Sequence, residues 1–201
     1  MAVLAGGRGR RLGGEKALVE LGGRPLLARP LAAARAAGLD AVVVAKAGTV
    51  LPDVPTWIEP DEPTHPLLGL VTALGHGGPV VAVACDQPWI TPELLRALAD
   101  HEGPALAVER EPFPGRYEPL QLPVLRDALA REDSLRATLG RLQPAVLGAP
   151  REQVASVNTR EDLAAAEHAL ADGPDATAGP GPDGDGAAGA GAAAATPKAR
   201  P

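Results

Sequence analysis

The chain has 201 residues, a formal net charge of −6, a sequence pI near 5.2 and only 2% aromatic residues. This balance excludes a general nucleic-acid binder, which needs a basic face and aromatic side chains for stacking. A single cysteine, Cys85, excludes an intramolecular disulfide framework, and no apolar run approaches the roughly 18–20 residues of a membrane span. Since the short apolar start does not resemble a signal peptide, we expect a cytoplasmic protein without a membrane or nucleic-acid partner.

Composition divides the chain at Asp172. The segment 173–201 contains no Val, Ile, Leu, Met or aromatic residue, so it has nothing to bury against the entropy of ordering. We therefore predict one folded domain over residues 1–172 and a disordered Gly/Ala/Pro-rich tail over residues 173–201.

Short apolar runs alternate with Ala/Leu-rich helical stretches along the domain. Pro30 is expected to kink or subdivide the first helix, which Gly38 ends. The predicted strands are 1–5, 41–45, 80–85 and 105–109, and the predicted helices are 25–37, 67–74, about 92–101, one capped by Asp133 or Ser134, and one from Thr159 to Gly173. This alternation predicts an α/β fold of three layers, in which helices cover both faces of a mostly parallel sheet.

The stretch "LAGGRGRRLGGEK" (4–16) follows the first predicted strand, at the edge of a parallel sheet where ligands bind. Its glycines allow backbone N–H groups to surround an anion, and its arginines and Lys16 add positive charge. The spacing excludes a P-loop, because Glu15 and Ala17 flank Lys16, and a G-x-G-x-x-G fingerprint beginning at Gly7 fails at Leu12. The alternatives are a phosphate-binding loop, which we favour, and a solvated basic loop.

This stretch resembles the L-A-G-G-x-S-x-R-M-G-x-D-K signature of nucleotidyltransferases, and among them it is most similar to the molybdenum cofactor guanylyltransferases. Further matches follow in family order over about residues 2–170: "ALVELGGRPLL", "HPLLGLVTAL", "VACDQP", "EPL", "SLRATL" and "VNTREDL". The resemblance implies a Rossmann-like nucleotidyltransferase fold. It also implies an enzyme that transfers GMP from GTP to the terminal phosphate of molybdopterin, releases pyrophosphate and depends on Mg²⁺.

The resemblance also implies roles for individual residues. Arg11, Lys16 and Asp86 are the predicted catalytic residues: the two cations hold the triphosphate, and Asp86 anchors Mg²⁺ at the end of the strand 80–85. The alternative for Asp86 is a structural aspartate that caps the following turn. The other predicted residues contact GTP (Leu4, Ala5, Gly6, Gly7, Lys46 and Asp61) or, in the case of Asn158, the pterin. The alternative for Asp61 is a surface residue in the loop 59–63.

The chain departs from the family pattern at Glu15, His65, Leu68 and Ser156. A sister enzyme with another base or acceptor therefore remains open, such as cytidylyl transfer to molybdopterin or nucleotidyl transfer to a sugar phosphate. A nucleotide-binding protein without turnover, which serves as a partner in cofactor delivery, is the remaining alternative. The expected partners are GTP and molybdopterin, with transient contacts to enzymes that synthesise or accept the molybdenum cofactor.

Overall fold

The computed structural model describes residues 1–6, 12 and 16–172. The predicted site residues Gly7 and Arg11 and the predicted tail lie outside the described residues. Within the described part of the chain, no helix is both long and apolar enough to cross a membrane.

A seven-stranded sheet forms the centre of the domain, with the strand order β5-β4-β1-β6-β8-β7-β9. Only β8 runs antiparallel to its neighbours, so the predicted mostly parallel sheet is confirmed. A separate hairpin, β2-β3, follows a 3₁₀ turn over Lys16–Leu18. The strands are β1 Ala2–Leu4, β2 Glu20–Leu21, β3 Arg24–Pro25, β4 Val42–Lys46, β5 Thr56–Glu59, β6 Val80–Ala84, β7 Ala105–Leu106, β8 Gly115–Tyr117 and β9 Ala145–Val146.

Within the described residues, six α-helices accompany the sheet, and five of them cover its two faces. They are α1 Ala28–Ala36, α2 Leu67–Gly75, α3 Pro92–Asp100, α4 Leu122–Ala130, α5 Leu135–Leu142 and α6 Arg160–Asp172. On β6, Val81 packs with α1 and α3, whereas Ala82 packs in the core that α2, α4 and α5 form. Successive strand side chains point to opposite faces, so a continuous apolar run contributes to both cores. The predicted three-layer α/β architecture is therefore confirmed.

Local capping residues start two of the predicted helices. The Thr91 hydroxyl accepts a hydrogen bond from the Leu94 amide (3.3 Å) ahead of α3. Ser134, rather than Asp133, caps α5 and accepts from the Ala137 amide (3.2 Å). Such side-chain acceptors satisfy amides that have no partner inside the helix.

The first helix differs from the prediction. It begins at Ala28 rather than at residue 25, because the Leu26 and Leu27 amides donate to Val19 and Ala17 beside the hairpin (2.8 and 3.1 Å). Pro30 lies in the first turn of α1, where its missing N–H removes no intrahelical bond, so the expected subdivision of this helix is wrong.

Several short elements were not predicted at all. These are the hairpin β2-β3, the strands β5, β8 and β9, and helix α4, while the predicted strand 105–109 ends already at Leu106. The predicted helix α6 packs beside the hairpin. Ala166 of α6 and Val157, which precedes α6, share a core cluster with Leu21 of the hairpin and with Leu26, which follows the hairpin. The segment before α6 thereby reaches Lys16, to which Asn158 is hydrogen-bonded.

Candidate nucleotide site

A cavity of about 480 Å³ opens at the carboxyl edge of the parallel strands. The ends of β1, β4, β5 and β6 meet there because these strands are parallel and adjacent. Five predicted site residues line the cavity: Leu4, Gly6, Lys16, Lys46 and Asp86. The other lining residues, which include Glu59, His65, Gly69 and Phe113, were not assigned a site role from the sequence.

Asp86 lies two residues beyond β6 and is 7% exposed. Its Oδ2 forms an ion pair and hydrogen bond with the Lys16 Nζ, whereas its buried Oδ1 has no hydrogen-bond partner among the described residues. A carboxylate oxygen that is buried without a partner carries an uncompensated desolvation cost. One oxygen of Asp86 therefore remains available to a cation or a donor.

Asn158 belongs to the same cluster. Its Oδ1 accepts a hydrogen bond from the Lys16 Nζ at 2.6 Å, and the preceding Val157 amide donates to the Asp86 carbonyl at 2.9 Å. The Asp162 carboxylate accepts from the Asn158 and Thr159 amides, both at 2.9 Å, and these bonds lower the pKa of Asp162. The start of α6 thus fixes the loop that carries Asn158 beside Lys16.

Gln87 supports the turn that holds Asp86, a role that the sequence did not suggest. Its buried amide oxygen accepts from the Ala84 amide (3.1 Å), and its Nε2 donates to the carbonyls of Phe113 (2.7 Å) and Val154 (2.8 Å). The first contact closes the turn after β6, and the other two join this turn to distant segments of the chain. The position of Gln87 next to Asp86 is the only signal for this role in the sequence.

Lys46 and Glu59 form a second charged pair, at the ends of β4 and β5. The two residues are register partners, and Lys46 Nζ lies 3.5 Å from Glu59 Oε1. Lys46 also donates to the carbonyls of Pro60 (2.8 Å) and Asp61 (2.9 Å). Asp61 is exposed and does not line the cavity, whereas Glu59, like Asp86, does.

The main chain at the end of β1 already forms hydrogen bonds to the neighbouring strands. The Leu4 carbonyl accepts from the Cys85 amide (3.1 Å), and the Ala5 amide donates to Val44 (2.8 Å). A contact between this turn and a base would therefore use the Ala5 carbonyl or the Gly6 backbone. Cys85 itself is buried, and desolvation raises the pKa of its thiol to about 12, which makes it a poor nucleophile.

The cluster fits a magnesium ion that is shared with substrate. Among the described residues, no group of three His, Cys, Asp or Glu side chains could hold a metal. Magnesium needs only one or two protein carboxylates when phosphates and waters supply its other ligands. Asp86, with one oxygen unpartnered, meets that requirement.

A second cavity, of about 580 Å³, lies between β7, β9 and α5. Arg110 and Arg136 line it together with apolar residues such as Leu106 and Leu139. None of the predicted site residues that the structure describes lines this cavity.

Comparison with known proteins identifies the family. A family model described as "MobA-like NTP transferase domain" matches residues 1–149. The molybdenum cofactor guanylyltransferase of Rhodobacter capsulatus is 35% identical over 184 residues, which cover 84% of this chain and 94% of that protein. The probable molybdenum cofactor guanylyltransferase of Deinococcus radiodurans is 35% identical over 176 residues, which cover 81% of this chain and 91% of that protein.

Solved structures share the fold. Molybdopterin-guanine dinucleotide biosynthesis protein A of Archaeoglobus fulgidus superposes with a TM-score of 0.70 at 24% identity, covering 85% of this chain and 97% of that one. A 2-C-methyl-D-erythritol 4-phosphate cytidylyltransferase of Thermus thermophilus gives a TM-score of 0.62 at 19% identity, with 84% and 96% covered. The fold, the ordered motifs and the family match agree: this chain is an enzyme of the MobA-like NTP transferase family.

Proposed function

We propose that the protein transfers GMP from GTP to the terminal phosphate of molybdopterin and releases pyrophosphate. The observation that carries the proposal is the contact between Lys16 and Asp86, which both line the 480 Å³ cavity, together with the hydrogen bond from Lys16 to Asn158. The relatives named as molybdenum cofactor guanylyltransferases support the choice of base and acceptor.

The chemistry requires two polyanions to approach each other. The attacking phosphate is already an anion at neutral pH, so the reaction needs no general base. Magnesium, when bound at Asp86, supplies positive charge that offsets the charge on the triphosphate. Lys16, the last residue of the glycine-rich stretch 4–16 that resembles the family signature, adds a second cation.

In the described structure Lys16 is held by Asp86 and Asn158. A triphosphate would compete for the Lys16 ammonium, and a magnesium ion would take over the charge of Asp86. Asn158 could then turn its amide to the incoming acceptor, which agrees with the role that the resemblance implies for it. Binding of Mg²⁺-GTP is therefore expected to open the Lys16–Asp86 pair.

The test is incorporation of label. The protein is incubated with Mg²⁺, with either molybdopterin or a sugar phosphate as acceptor, and with each α-³²P-labelled nucleoside triphosphate in turn, and the labelled product and pyrophosphate are separated. Label from GTP on molybdopterin supports the proposal. Label from CTP, label on a sugar phosphate, or nucleotide binding without any product would each replace it with one of the alternatives left open by the sequence.

A further inference from the structure

The buried carboxylate of Glu59 has acceptor capacity that the fold does not use. Glu59 is 6% exposed, and Lys46, at 3.5 Å, is its one ion-pair partner within residues 1–6, 12 and 16–172. A carboxylate offers about four acceptor positions. Burial raises the pKa of Glu59, and Lys46 opposes this effect only in part. Ionised Glu59 therefore lowers the stability of the folded protein, and a hydrogen-bond donor on a bound ligand would offset this cost.

Two glycines leave room for this carboxylate at the cavity wall. A Cβ on Gly6 would overlap Glu59 Oε1, and a Cβ on Gly69 would lie 3.1 Å from Glu59 Oε2. Gly6 follows β1 and Gly69 lies in the first turn of α2, so the carboxylate sits between two elements that contribute backbone alone. Gly6, Glu59 and Gly69 all line the same cavity.

His65 offers a donor to the same cavity. Its Nδ1 accepts a hydrogen bond from the Leu67 amide at 3.1 Å, at the start of α2. In the neutral ring this bond leaves the proton on Nε2. The ring lines the cavity, so Nε2–H can donate to a ligand acceptor.

Guanine matches this acceptor and donor best, because uracil offers only a single N–H donor, N3–H, beside its acceptor O4. Guanine carries two adjacent donors, N1–H and its 2-amino group, beside the acceptor O6, whereas adenine and cytosine present a ring-nitrogen acceptor at the corresponding edge. Resting on the proposed function, we infer that Glu59 accepts from N1–H and the 2-amino group of guanine and that His65 donates to O6. The two residues thus determine the base specificity of this site.

The test measures binding without an acceptor. Titration calorimetry with Mg²⁺ compares GTP with ITP, which lacks the 2-amino group, and with XTP, which has an oxygen in its place. The parent protein should bind GTP about tenfold more tightly than ITP. Glu59→Gln should weaken GTP binding roughly 10- to 100-fold and strengthen XTP binding, because the amide group can donate to that oxygen.

Further variants separate recognition from folding. Glu59→Gln should melt no lower than the parent, since it removes a buried charge. Glu59→Asp keeps the charge but has a shorter side chain, so it should weaken GTP binding without strengthening XTP binding. His65→Asn keeps an acceptor for the Leu67 amide and should weaken the binding of GTP and of XTP equally, because both bases carry O6. Glu102→Gln, an exposed substitution in the loop between α3 and β7, is the matched control and should change neither the GTP:ITP nor the GTP:XTP affinity ratio.

The outcomes distinguish the two proposals. A parent protein that prefers GTP, together with an unchanged GTP:XTP ratio in Glu59→Gln, overturns this inference alone. This inference is also overturned if Asp61→Asn, rather than Glu59→Gln, changes the GTP:XTP affinity ratio. A parent protein that binds CTP in preference to GTP overturns the proposed function and the assignment of Glu59 with it.

Discussion

Replacing Asp86 by Asn separates its proposed metal-binding role from a structural one. The substitution keeps the volume of a 7% exposed side chain and removes its charge. The Lys16 ammonium keeps Asn158 as an acceptor, and an amide oxygen can replace Oδ2 as a second one. We expect a loss of stability of at most about 1–2 kcal/mol, or roughly 2–8 °C in Tm for a domain of this size.

The effect on turnover should be much larger. Loss of the charge that balances a catalytic cation should cost about 3–4 kcal/mol, which is roughly 10²- to 10³-fold in kcat. The assay is GMP transfer across a magnesium titration, with Tm measured by differential scanning fluorimetry. The parent protein should be stimulated by magnesium and the variant should not. Asp100→Asn, at the exposed end of α3, serves as the matched control.

One result would refute this reasoning. A variant with a strongly lowered Tm, but with near-normal specific activity and magnesium stimulation in its folded fraction, would make Asp86 a structural cap. The free Oδ1 would then have no catalytic meaning.

Three further predictions concern Lys16, the tail and Cys85. Lys16→Ala should weaken GTP binding and turnover together, since this cation is proposed to hold phosphates in both the ground and the transition state; unchanged GTP affinity in calorimetry would contradict that role. A chain that ends at Asp172 should keep its Tm and activity, because the segment 173–201 has no residue able to pack in a core; a loss of several degrees would show that the tail docks on the domain. Cys85, with a thiol pKa of about 12, should react with iodoacetamide at pH 8 far more slowly in the native protein than in urea, and equal rates would show that the end of β6 opens readily.

The elements predicted correctly are those that neighbouring residues dictate. The run from Val80 to Cys85 is apolar on both faces and therefore reads as a buried central strand, which is where β6 lies. Thr91 and Ser134 cap helices through bonds to amides three residues away. These signals need no knowledge of the rest of the fold.

The missed elements depend on their neighbours in space. The strand β5 has four residues, with Ile58 57% exposed, and becomes a strand only by pairing with β4. The strand β8 has three residues and lies antiparallel between β6 and β7. Segments this short carry little local preference, so pairing decides their conformation.

The candidate site shows the same division. The sequence by itself, through the family signature, predicted Lys16 and Asp86 as site residues. It also predicted that Asp86 lies at the carboxyl end of a buried strand. Only the tertiary structure decided that Lys16 meets Asp86, 70 residues away, and Asn158, 142 residues away. It alone placed Glu59 in the cavity, because the register of β5 on β4 sets that carboxylate opposite Lys46 and against Gly6. Composition and periodicity report which residues are buried, whereas contacts between distant segments arise only when strands pair and helices pack.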